Sequence, residues 1–239
     1  MVREQLRSRG ITDARVLAAF GAVPREAFVD ERLVGSAYDD HPLPIGHGQT
    51  ISQPYVVALM AEALALQPAD TVLEVGAGSG YAAAILSLLV GRVVAVERLR
   101  PLADEARERL AALGYRNVEV HHGDGSRGWP PAAPFDAVLV SAGAERVPPA
   151  LADQLAVGGR LVIPVGGPGY QELLRLVKTD AGELREERLG GVVFVPLIAS
   201  PEPPADDAPA DDAPDDDAPD DREAAAGRGS APGRPAQSP

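Results

Sequence analysis

Glycines at alternate positions mark the first candidate for chemistry, in the segment EVGAGSG at residues 74–80. Glycine permits a tight turn and lets a ligand approach the main chain, while a following helix offers free N–H groups. Dinucleotide-binding proteins use the spacing G-x-G-x-x-G at such a turn. Here Gly76, Gly78 and Gly80 give the spacing G-x-G-x-G. The shorter spacing favours an adenosyl ligand without a pyrophosphate over a nicotinamide dinucleotide.

Two acidic residues lie where later strands are predicted to end. Glu97 comes 21 residues after Gly76, where a carboxylate can accept hydrogen bonds from both hydroxyls of a ribose. Asp124, within the segment HGDG, can accept a hydrogen bond from an adenine amino group. Because open α/β sheets bind ligands outside the carboxyl ends of their strands, these segments together predict a site for S-adenosylmethionine. The predicted cofactor contacts are Glu74, Gly76, Ala77, Gly78, Ser79, Gly80, Glu97, Asp124 and Gly125.

A polar segment, GHGQTISQP at residues 46–54, precedes an apolar helix. Thr50 and Gln53 match the Thr-x-x-Gln capping box, and Pro54 suits the first turn of a helix. We therefore predict that Thr50 caps this helix, which leaves the hydroxyl of Ser52 free to face a ligand.

Strands and helices alternate from residue 71 to residue 165, and their order decides where these residues lie. Strands are predicted at residues 71–75, 92–96, 117–121, 135–140 and 160–165, and helices at residues 81–90, 101–113 and 151–156. Parallel strands joined by crossover helices form a doubly wound α/β sheet. A polar Gly/Pro-rich connection replaces a long helix between the third and fourth strands.

Both ends of the chain depart from this alternation. Residues 1–40 predict a helical layer, in which Asp13 caps a helix at residues 14–20 and Pro24 opens a shorter one. Antiparallel strands are predicted at residues 172–178, 183–188 and 191–198. The expected fold class is a mostly parallel, doubly wound sheet with antiparallel C-terminal strands and an N-terminal helical layer.

Composition limits the classes of function. The sequence contains no cysteine, which excludes disulfides, thiolate catalysis and zinc held by cysteine. Of the net charge of −13, residues 201–239 carry −8, from eleven acidic residues and three arginines. The remainder is mildly acidic without a basic stripe, which argues against a nucleic acid as partner. The four histidines show no ligand spacing, so we expect no metal.

Residues 1–199 are expected to form one domain, with residues 1–60 as an N-terminal helical and active-site segment and residues 61–199 as a Rossmann-like core. Residues 200–239 repeat Asp, Ala and Pro, which predicts a disordered tail that aids solubility or binds a basic partner. The longest apolar run, at residues 81–90, is too short to cross a membrane, and the charged N-terminus lacks an apolar signal segment. We therefore expect a cytoplasmic protein without membrane association, and a monomer.

The motifs taken together resemble those of one protein family. They are VLEVGAGSGY at 72–81, VERL at 96–99, HGDG at 122–125, PFDAVLVSA at 134–142, GGRLVIPVG at 158–166 and FVPL at 194–197. In this order they resemble the motif series of the protein-L-isoaspartate (D-aspartate) O-methyltransferases, which implies the fold of class I S-adenosylmethionine-dependent methyltransferases. The segment GQTISQP at residues 48–54 also resembles this family, and class I methyltransferases in general lack it. The resemblance covers residues 1–199.

The resemblance implies a repair enzyme. Such an enzyme transfers a methyl group from S-adenosylmethionine, which becomes S-adenosylhomocysteine, to the α-carboxyl of L-isoaspartyl residues in damaged proteins and peptides. The ester then leads through a succinimide to normal aspartate. By the resemblance Ser52 is the catalytic residue, and the substrate contacts are Thr50, Ile51, Phe194, Val195, Pro196 and Leu197. The run SAGA at residues 141–144 departs conservatively from the Thr-Ala-Ala type of many members.

Other interpretations remain open on the sequence alone. The same motifs would serve an enzyme that methylates an aspartate of one dedicated peptide partner, with the acidic tail assisting docking. An NAD-dependent oxidoreductase is disfavoured by the glycine spacing, and a non-catalytic binding module would not need Ser52. Trp129 is expected to pack within its loop, and a contact with adenine is the alternative.

Overall fold

The computed structural model describes residues 1–199. The strands in this part are Leu43–Gly46 (β1), Gln49–Ile51 (β2), Thr71–Val75 (β3), Arg92–Glu97 (β4), Val118–His122 (β5), Phe135–Val140 (β6), Leu155–Val165 (β7), Gln171–Lys178 (β8) and Leu184–Val192 (β9). The α-helices are Ala14–Ala22 (α1), Pro54–Ala63 (α2), Tyr81–Ser87 (α3), Arg100–Ala112 (α4) and Pro149–Asp153 (α5). The predicted acidic tail lies outside the described residues.

One sheet of seven strands organises the fold, in the order β5-β4-β3-β6-β7-β8-β9. The strands from β5 to β7 pair in parallel, and β8 and β9 add to them antiparallel. The chain runs outwards from β3 to β4 and β5, and then returns to β6 on the other side of β3. The strand order therefore reverses between β3 and β6, where open α/β sheets bind ligands. The predicted fold class is confirmed.

Buried apolar side chains pack helices against both faces of the sheet. The central strands β3 and β4 bury almost every residue, as their continuous apolar runs predict. One core cluster joins one face of the sheet to α1, α2, α3 and α4, and a second, with α5, lies on the other face. Every residue of α3 is buried. This helix ends at Ser87, three residues before the predicted end.

The N-terminal layer follows the predicted caps. The carboxylate of Asp13 accepts hydrogen bonds from the N–H groups of Arg15 at 2.7 Å and Val16 at 3.2 Å, so the predicted cap of α1 is confirmed. Pro24 precedes a short 3-10 helix, Arg25–Phe28. Within residues 1–199 no helix is both long enough and apolar enough to cross a membrane.

The predicted helix at residues 151–156 is wrong at both ends, because α5 starts two residues earlier and stops at Asp153. Pro149 occupies the first turn and starts the helix early. Leu155 already belongs to β7 and pairs with Phe135 of β6, so pairing in the sheet overrides the helical pattern here.

The predicted strand at residues 191–198 is also wrong beyond the end of β9. Pro196 forms only an isolated bridge with Gly143. The N–H of Gly143 donates to the carbonyl of Val195 at 2.8 Å, and its carbonyl accepts from the N–H of Leu197 at 2.7 Å. Val192 pairs with Gln171, the first residue of β8, so the ladder ends there because β8 extends no further. The segment is instead held across the end of β6.

Candidate active site

A cleft opens at the carboxyl ends of β3, β4 and β6. It is lined chiefly by residues 48–52, 74–79, 96–99, 141–142 and 195–198, together with Gly125. These segments meet because parallel strands end at the same edge of the sheet. Of the predicted site residues, all of which lie in the described part of the chain, only Gly80, Asp124 and Phe194 do not belong to the lining.

The glycine-rich turn has a backbone that favours glycine, with φ of +87° at Gly76 and +53° at Gly78. A Cβ on Gly78 would lie 3.2 Å from Cδ1 of Ile45, so the β1–β2 hairpin closely covers the turn. A Cβ on Gly80 would lie 3.0 Å from Cδ1 of Leu110 in α4. Gly80 therefore serves the packing of α3 on α4, whereas the first two glycines face the cleft.

Glu97, at the end of β4, lies directly beside this turn. One carboxylate oxygen accepts a hydrogen bond from the N–H of Gly78 and the other from the N–H of Leu99, each at 2.9 Å. The side chain is only 6% exposed. Each carboxylate oxygen can accept a second hydrogen bond, so the fixed carboxylate can also receive the hydroxyls of a ribose.

Glu74 places a second carboxyl group in the same cleft. It is 0% exposed, and neither oxygen has a hydrogen-bond partner within residues 1–199. Burial, and secondarily the nearby charge of Glu97, raises the pKa of Glu74 well above its ordinary value. A cationic group of a ligand would relieve this cost, because it would supply the missing partner.

Asp124 and Gly125, which follow β5, have different positions. The carboxylate of Asp124 accepts from the N–H of Ser126 at 2.9 Å and from its hydroxyl at 2.7 Å, which caps a short 3-10 helix. Gly125 lines the cleft, and a Cβ there would lie 2.5 Å from Cγ1 of Val75. Only glycine lets the main chain pass so close to the end of β3. The adenine contact of Asp124 stays a prediction.

Trp129 packs within its loop. Its ring stacks on His121, with centroids 4.1 Å apart and 18° between the planes. Gln154 holds the same loop, since it accepts from the N–H of Trp129 and donates to the carbonyl of Arg127, both at 2.8 Å. Within the described part of the chain Trp129 does not line the cleft. The stacking supports the expected packing role, and the contact with adenine stays the alternative prediction.

The predicted capping box at Thr50 is wrong. Thr50 lies in β2 and pairs with Pro44, and the residue at the N-cap of α2 is Gln53, whose side chain does not cap the helix. The cap comes from Asp40. Its carboxylate accepts a hydrogen bond from the backbone N–H of Tyr55 at 3.1 Å and another from the side-chain amide Nε2 of Gln53 at 2.8 Å. Because Thr50 pairs with Pro44 in the hairpin, it does not lie at the start of α2.

This correction gives a stability prediction. Asp40→Ala should lower the free energy of unfolding by about 1–2 kcal/mol, the usual cost of a lost cap. Thr50→Ala, at an exposed strand position, should change it by less than about 0.5 kcal/mol. Urea denaturation of both variants measures the difference. A larger loss for Thr50→Ala would restore the capping box.

Ser52 lies between β2 and α2 and lines the cleft. Its carbonyl accepts a hydrogen bond from Nη2 of Arg25 at 2.8 Å. The side chain is half-buried, and its hydroxyl forms no hydrogen bond to the residues that the structure describes. Thr50 and Ile51, from the same hairpin, also line the cleft. The hydroxyl of Ser52 is therefore available to a ligand.

Residues 195–197 form the opposite side of the cleft. Phe194 turns away from it and packs against the larger core cluster. The buried side chain of Gln171 accepts from the N–H of Phe194 at 2.8 Å and donates to the carbonyl of Gly167 at 2.9 Å. The segment is thus held on two sides. Gly143, which follows β6, bonds its main chain, and Gln171 of β8 bonds the N–H of Phe194.

Sequence reasoning missed Ser141 and Ala142 as lining residues. They follow β6, the strand that lies beside β3 at the reversal of strand order. The signal was present in the alternation of strands, because a doubly wound sheet places its cleft at that reversal. No comparable pattern in the sequence indicated the roles of Arg25, Asp40 and Gln171.

Comparison with known proteins identifies relatives that all carry the name of one family. The family model described as protein-L-isoaspartate(D-aspartate) O-methyltransferase (PCMT) matches residues 1–202. A protein-L-isoaspartate O-methyltransferase of Methylorubrum extorquens is 60% identical, over 83% of this chain and 86% of its own. Protein-L-isoaspartate O-methyltransferase 1 of Rhodopseudomonas palustris is 56% identical, over 86% of this chain and 87% of its own.

Two solved structures with a similar fold carry the same enzyme name as these relatives. One protein-L-isoaspartate O-methyltransferase superposes with a TM-score of 0.74 at 32% identity, and the match covers 80% of this chain and 62% of that one. A Plasmodium falciparum protein assigned to the same methyltransferase family, in complex with S-adenosyl-L-homocysteine, gives a TM-score of 0.71 at 28% identity. That match covers 82% of this chain and 96% of the other.

Proposed function

This chain belongs to the protein-L-isoaspartate(D-aspartate) O-methyltransferase family, and we propose that the cleft at the ends of β3, β4 and β6 is its methyl-transfer site. The enzyme uses S-adenosylmethionine to methylate the α-carboxyl of isoaspartyl residues in damaged proteins and peptides. One observation carries the proposal. The unengaged hydroxyl of Ser52 shares a single cleft with the glycine-rich turn and Glu97.

The lining fits S-adenosylmethionine. The carboxylate of Glu97, fixed beside the turn, is placed to receive the ribose hydroxyls. The buried carboxyl of Glu74, without a hydrogen-bond partner within residues 1–199, suits a cationic amino group. Gly76 and Gly78 have the positive φ angles that the tight turn requires, and both line the cleft. When bound, S-adenosylmethionine supplies an electrophilic methyl group on a sulfonium.

Ser52 would orient the acceptor carboxylate. A carboxylate with an ordinary pKa near 4 is already ionised at neutral pH, so the reaction needs no general base. Positioning alone can supply roughly 7–11 kcal/mol when the reacting atoms are held near attack geometry. The Ser52 hydroxyl donates to one carboxylate oxygen and leaves the other to attack. A neutral donor orients the carboxylate with less loss of nucleophilicity than a cation.

Thr50, Ile51 and residues 195–197 would hold the peptide on either side of Ser52. Main-chain groups of the substrate are common to all damaged proteins, so recognition through the backbone permits broad acceptance. The released methyl ester is attacked by the neighbouring backbone nitrogen of the substrate, which loses its proton, expels methanol and forms a succinimide. Hydrolysis of the succinimide yields aspartate in part, without further help from the enzyme.

We also propose that the enzyme is a monomer. Sedimentation equilibrium tests this, and a dimer at micromolar concentration would contradict it. The cytoplasmic location stays a prediction of the sequence, which cell fractionation would test.

Glu74 gives a pH-dependent prediction. Its raised pKa in the folded protein means that the unfolded chain gives up this proton at lower pH, so stability falls as pH rises through that interval. Glu74→Gln removes this cost, and should raise the melting temperature of the ligand-free enzyme at pH 8 but not near pH 4, while weakening cofactor binding. Thermal melts at both pH values measure the effect.

Glu119 provides the matched control. Its pKa is lowered by its ion pair with Arg92, so its contribution to stability is present at neutral pH and is lost towards acid. Glu119→Gln should therefore destabilise the enzyme slightly at pH 8. A shift for Glu74→Gln that does not depend on pH would contradict the account.

Repair is tested by following the products. Repeated cycles with S-adenosylmethionine should convert an isoaspartyl peptide to its succinimide and then in part to the aspartyl peptide, resolved by chromatography. The absence of aspartyl product, with methyl ester formed only on a normal aspartate, would instead support a dedicated peptide partner. The relatives do not favour that alternative.

A further inference from the structure

Arg25 is a buried charge that the mechanism above does not use. It is 0% exposed and begins the 3-10 helix Arg25–Phe28. None of the ion pairs within residues 1–199 involves it. Burial accordingly lowers the pKa of Arg25. Burying a guanidinium without a carboxylate in contact lowers the stability of the folded protein. The groups that its hydrogen bonds hold in place therefore indicate its role.

The guanidinium joins three parts of the enzyme. Nε donates to the carbonyl of Ala37 in the N-terminal layer at 2.7 Å, and Nη2 donates to the carbonyl of Ser52 at 2.8 Å. The guanidinium carbon also lies 4.7 Å from the ring centroid of Tyr81, the first residue of α3. Tyr81 follows the glycine-rich turn and itself lines the cleft. Arg25 thus ties Ser52 to the helix behind the cofactor turn.

We propose that Arg25 is a positioning residue for methyl transfer, which fixes the main chain at Ser52 so that its hydroxyl points at the acceptor carboxylate. The inference rests on the role proposed for Ser52. Ser52 lies in the short link between β2 and α2, outside both elements. Asp40 holds the far side of this link through Gln53 and Tyr55. Arg25 supplies the hold on the near side.

Two variants separate the components of this hold. Arg25→Met keeps the aliphatic bulk and removes both donors, and should lower kcat at least about tenfold, because misplacing a reacting group by a fraction of a bond length is costly. Arg25→Lys keeps the charge but cannot span two carbonyls with a planar fork, so it should recover only part of the rate. The affinity for S-adenosylhomocysteine should change by less than about twofold, because the two lost hydrogen bonds go to Ala37 and Ser52 and not to the glycine-rich turn.

Arg15 is the control for the loss of two main-chain hydrogen bonds, and it is exposed where Arg25 is buried. From α1 its guanidinium also donates to two main-chain carbonyls, those of Leu66 (2.7 Å) and Leu89, away from the cleft. Arg15→Met should lower the melting temperature, as Arg25→Met does, but leave kcat within about twofold of wild type in assays below that temperature. An equal loss of kcat in both variants would mean that Arg25 is merely structural.

A double-mutant cycle with Ser52→Ala closes the test. If Arg25 acts through Ser52, Arg25→Met should slow the wild-type enzyme about tenfold or more and the Ser52→Ala enzyme by less than about twofold. Equal losses in both backgrounds overturn the inference. The proposed function is judged separately, by wild-type activity on the isoaspartyl peptide and by the Ser52→Ala single variant. If Arg25→Met does not fold, Arg25→Lys is measured in the same cycle: its smaller loss should appear in the wild-type background and not with Ser52→Ala, and equal losses in both backgrounds overturn the inference.

Discussion

Ser52→Ala is expected to lower kcat for an isoaspartyl peptide by about 10- to 100-fold, the usual value of a hydrogen bond to a charged group. The affinity for S-adenosylhomocysteine should stay within about twofold, because the hydroxyl serves the acceptor carboxylate and not the cofactor. Ser52 lines the cleft, and its hydroxyl has no hydrogen bond to the residues that the structure describes. Steady-state kinetics with saturating S-adenosylmethionine measure the loss.

Ser87→Ala is the control for Ser52→Ala. Ser87 also carries a largely buried serine hydroxyl, which donates to the carbonyl of Ala84 at 2.7 Å in α3, outside the cleft. Its removal should leave kcat unchanged. Unchanged kcat in Ser52→Ala as well would remove Ser52 from the mechanism and revive the non-catalytic binding module.

Glu97→Ala is expected to weaken binding of S-adenosylhomocysteine by roughly 100-fold or more. The carboxylate is placed to receive two charge-assisted hydrogen bonds from the ribose, each worth about 1.5–3 kcal/mol. Its removal also frees the N–H groups of Gly78 and Leu99, which it now holds at 2.9 Å. Isothermal titration calorimetry gives the dissociation constant directly.

Two further variants sharpen this prediction. Glu97→Asp keeps the charge on a shorter stem and should recover part of the affinity. Glu119→Ala removes an acid from the neighbouring strand β5, outside the cleft, and should leave the affinity unchanged. If Glu97→Ala binds S-adenosylhomocysteine as tightly as wild type, the ribose site must lie elsewhere.

The parts of the site that follow strands were predictable from the sequence. Continuous apolar runs identified β3 and β4, and a parallel sheet brings the residues after such strands to one edge. That reasoning placed the glycine-rich turn and Glu97 together, as the hydrogen bond between Glu97 and the N–H of Gly78 shows. The order of strands and helices therefore predicted both the fold class and the meeting of the glycine-rich turn with Glu97.

The substrate side depended on contacts that no local pattern encodes. Asp40 caps a helix from 15 residues before Tyr55, and Arg25 reaches the carbonyl of Ser52 across 27 residues. The capping box at Thr50 was locally plausible, yet pairing in the β1–β2 hairpin overrode it. Likewise the apolar run at residues 191–198 leaves the sheet after Val192, because its partner strand β8 begins at Gln171. Tertiary pairing decided each of these positions.

The most direct test compares two peptides that differ only in one linkage. Initial rates of methyl transfer from S-adenosylmethionine are measured on an isoaspartyl peptide and on its normal aspartyl isomer, with the wild-type enzyme. We predict that the isoaspartyl peptide is methylated roughly 100-fold faster or more, because in the proposed mechanism Ser52 orients the α-carboxylate that the isoaspartyl linkage leaves free. Equal rates, or methylation of the aspartyl isomer alone, would contradict the account.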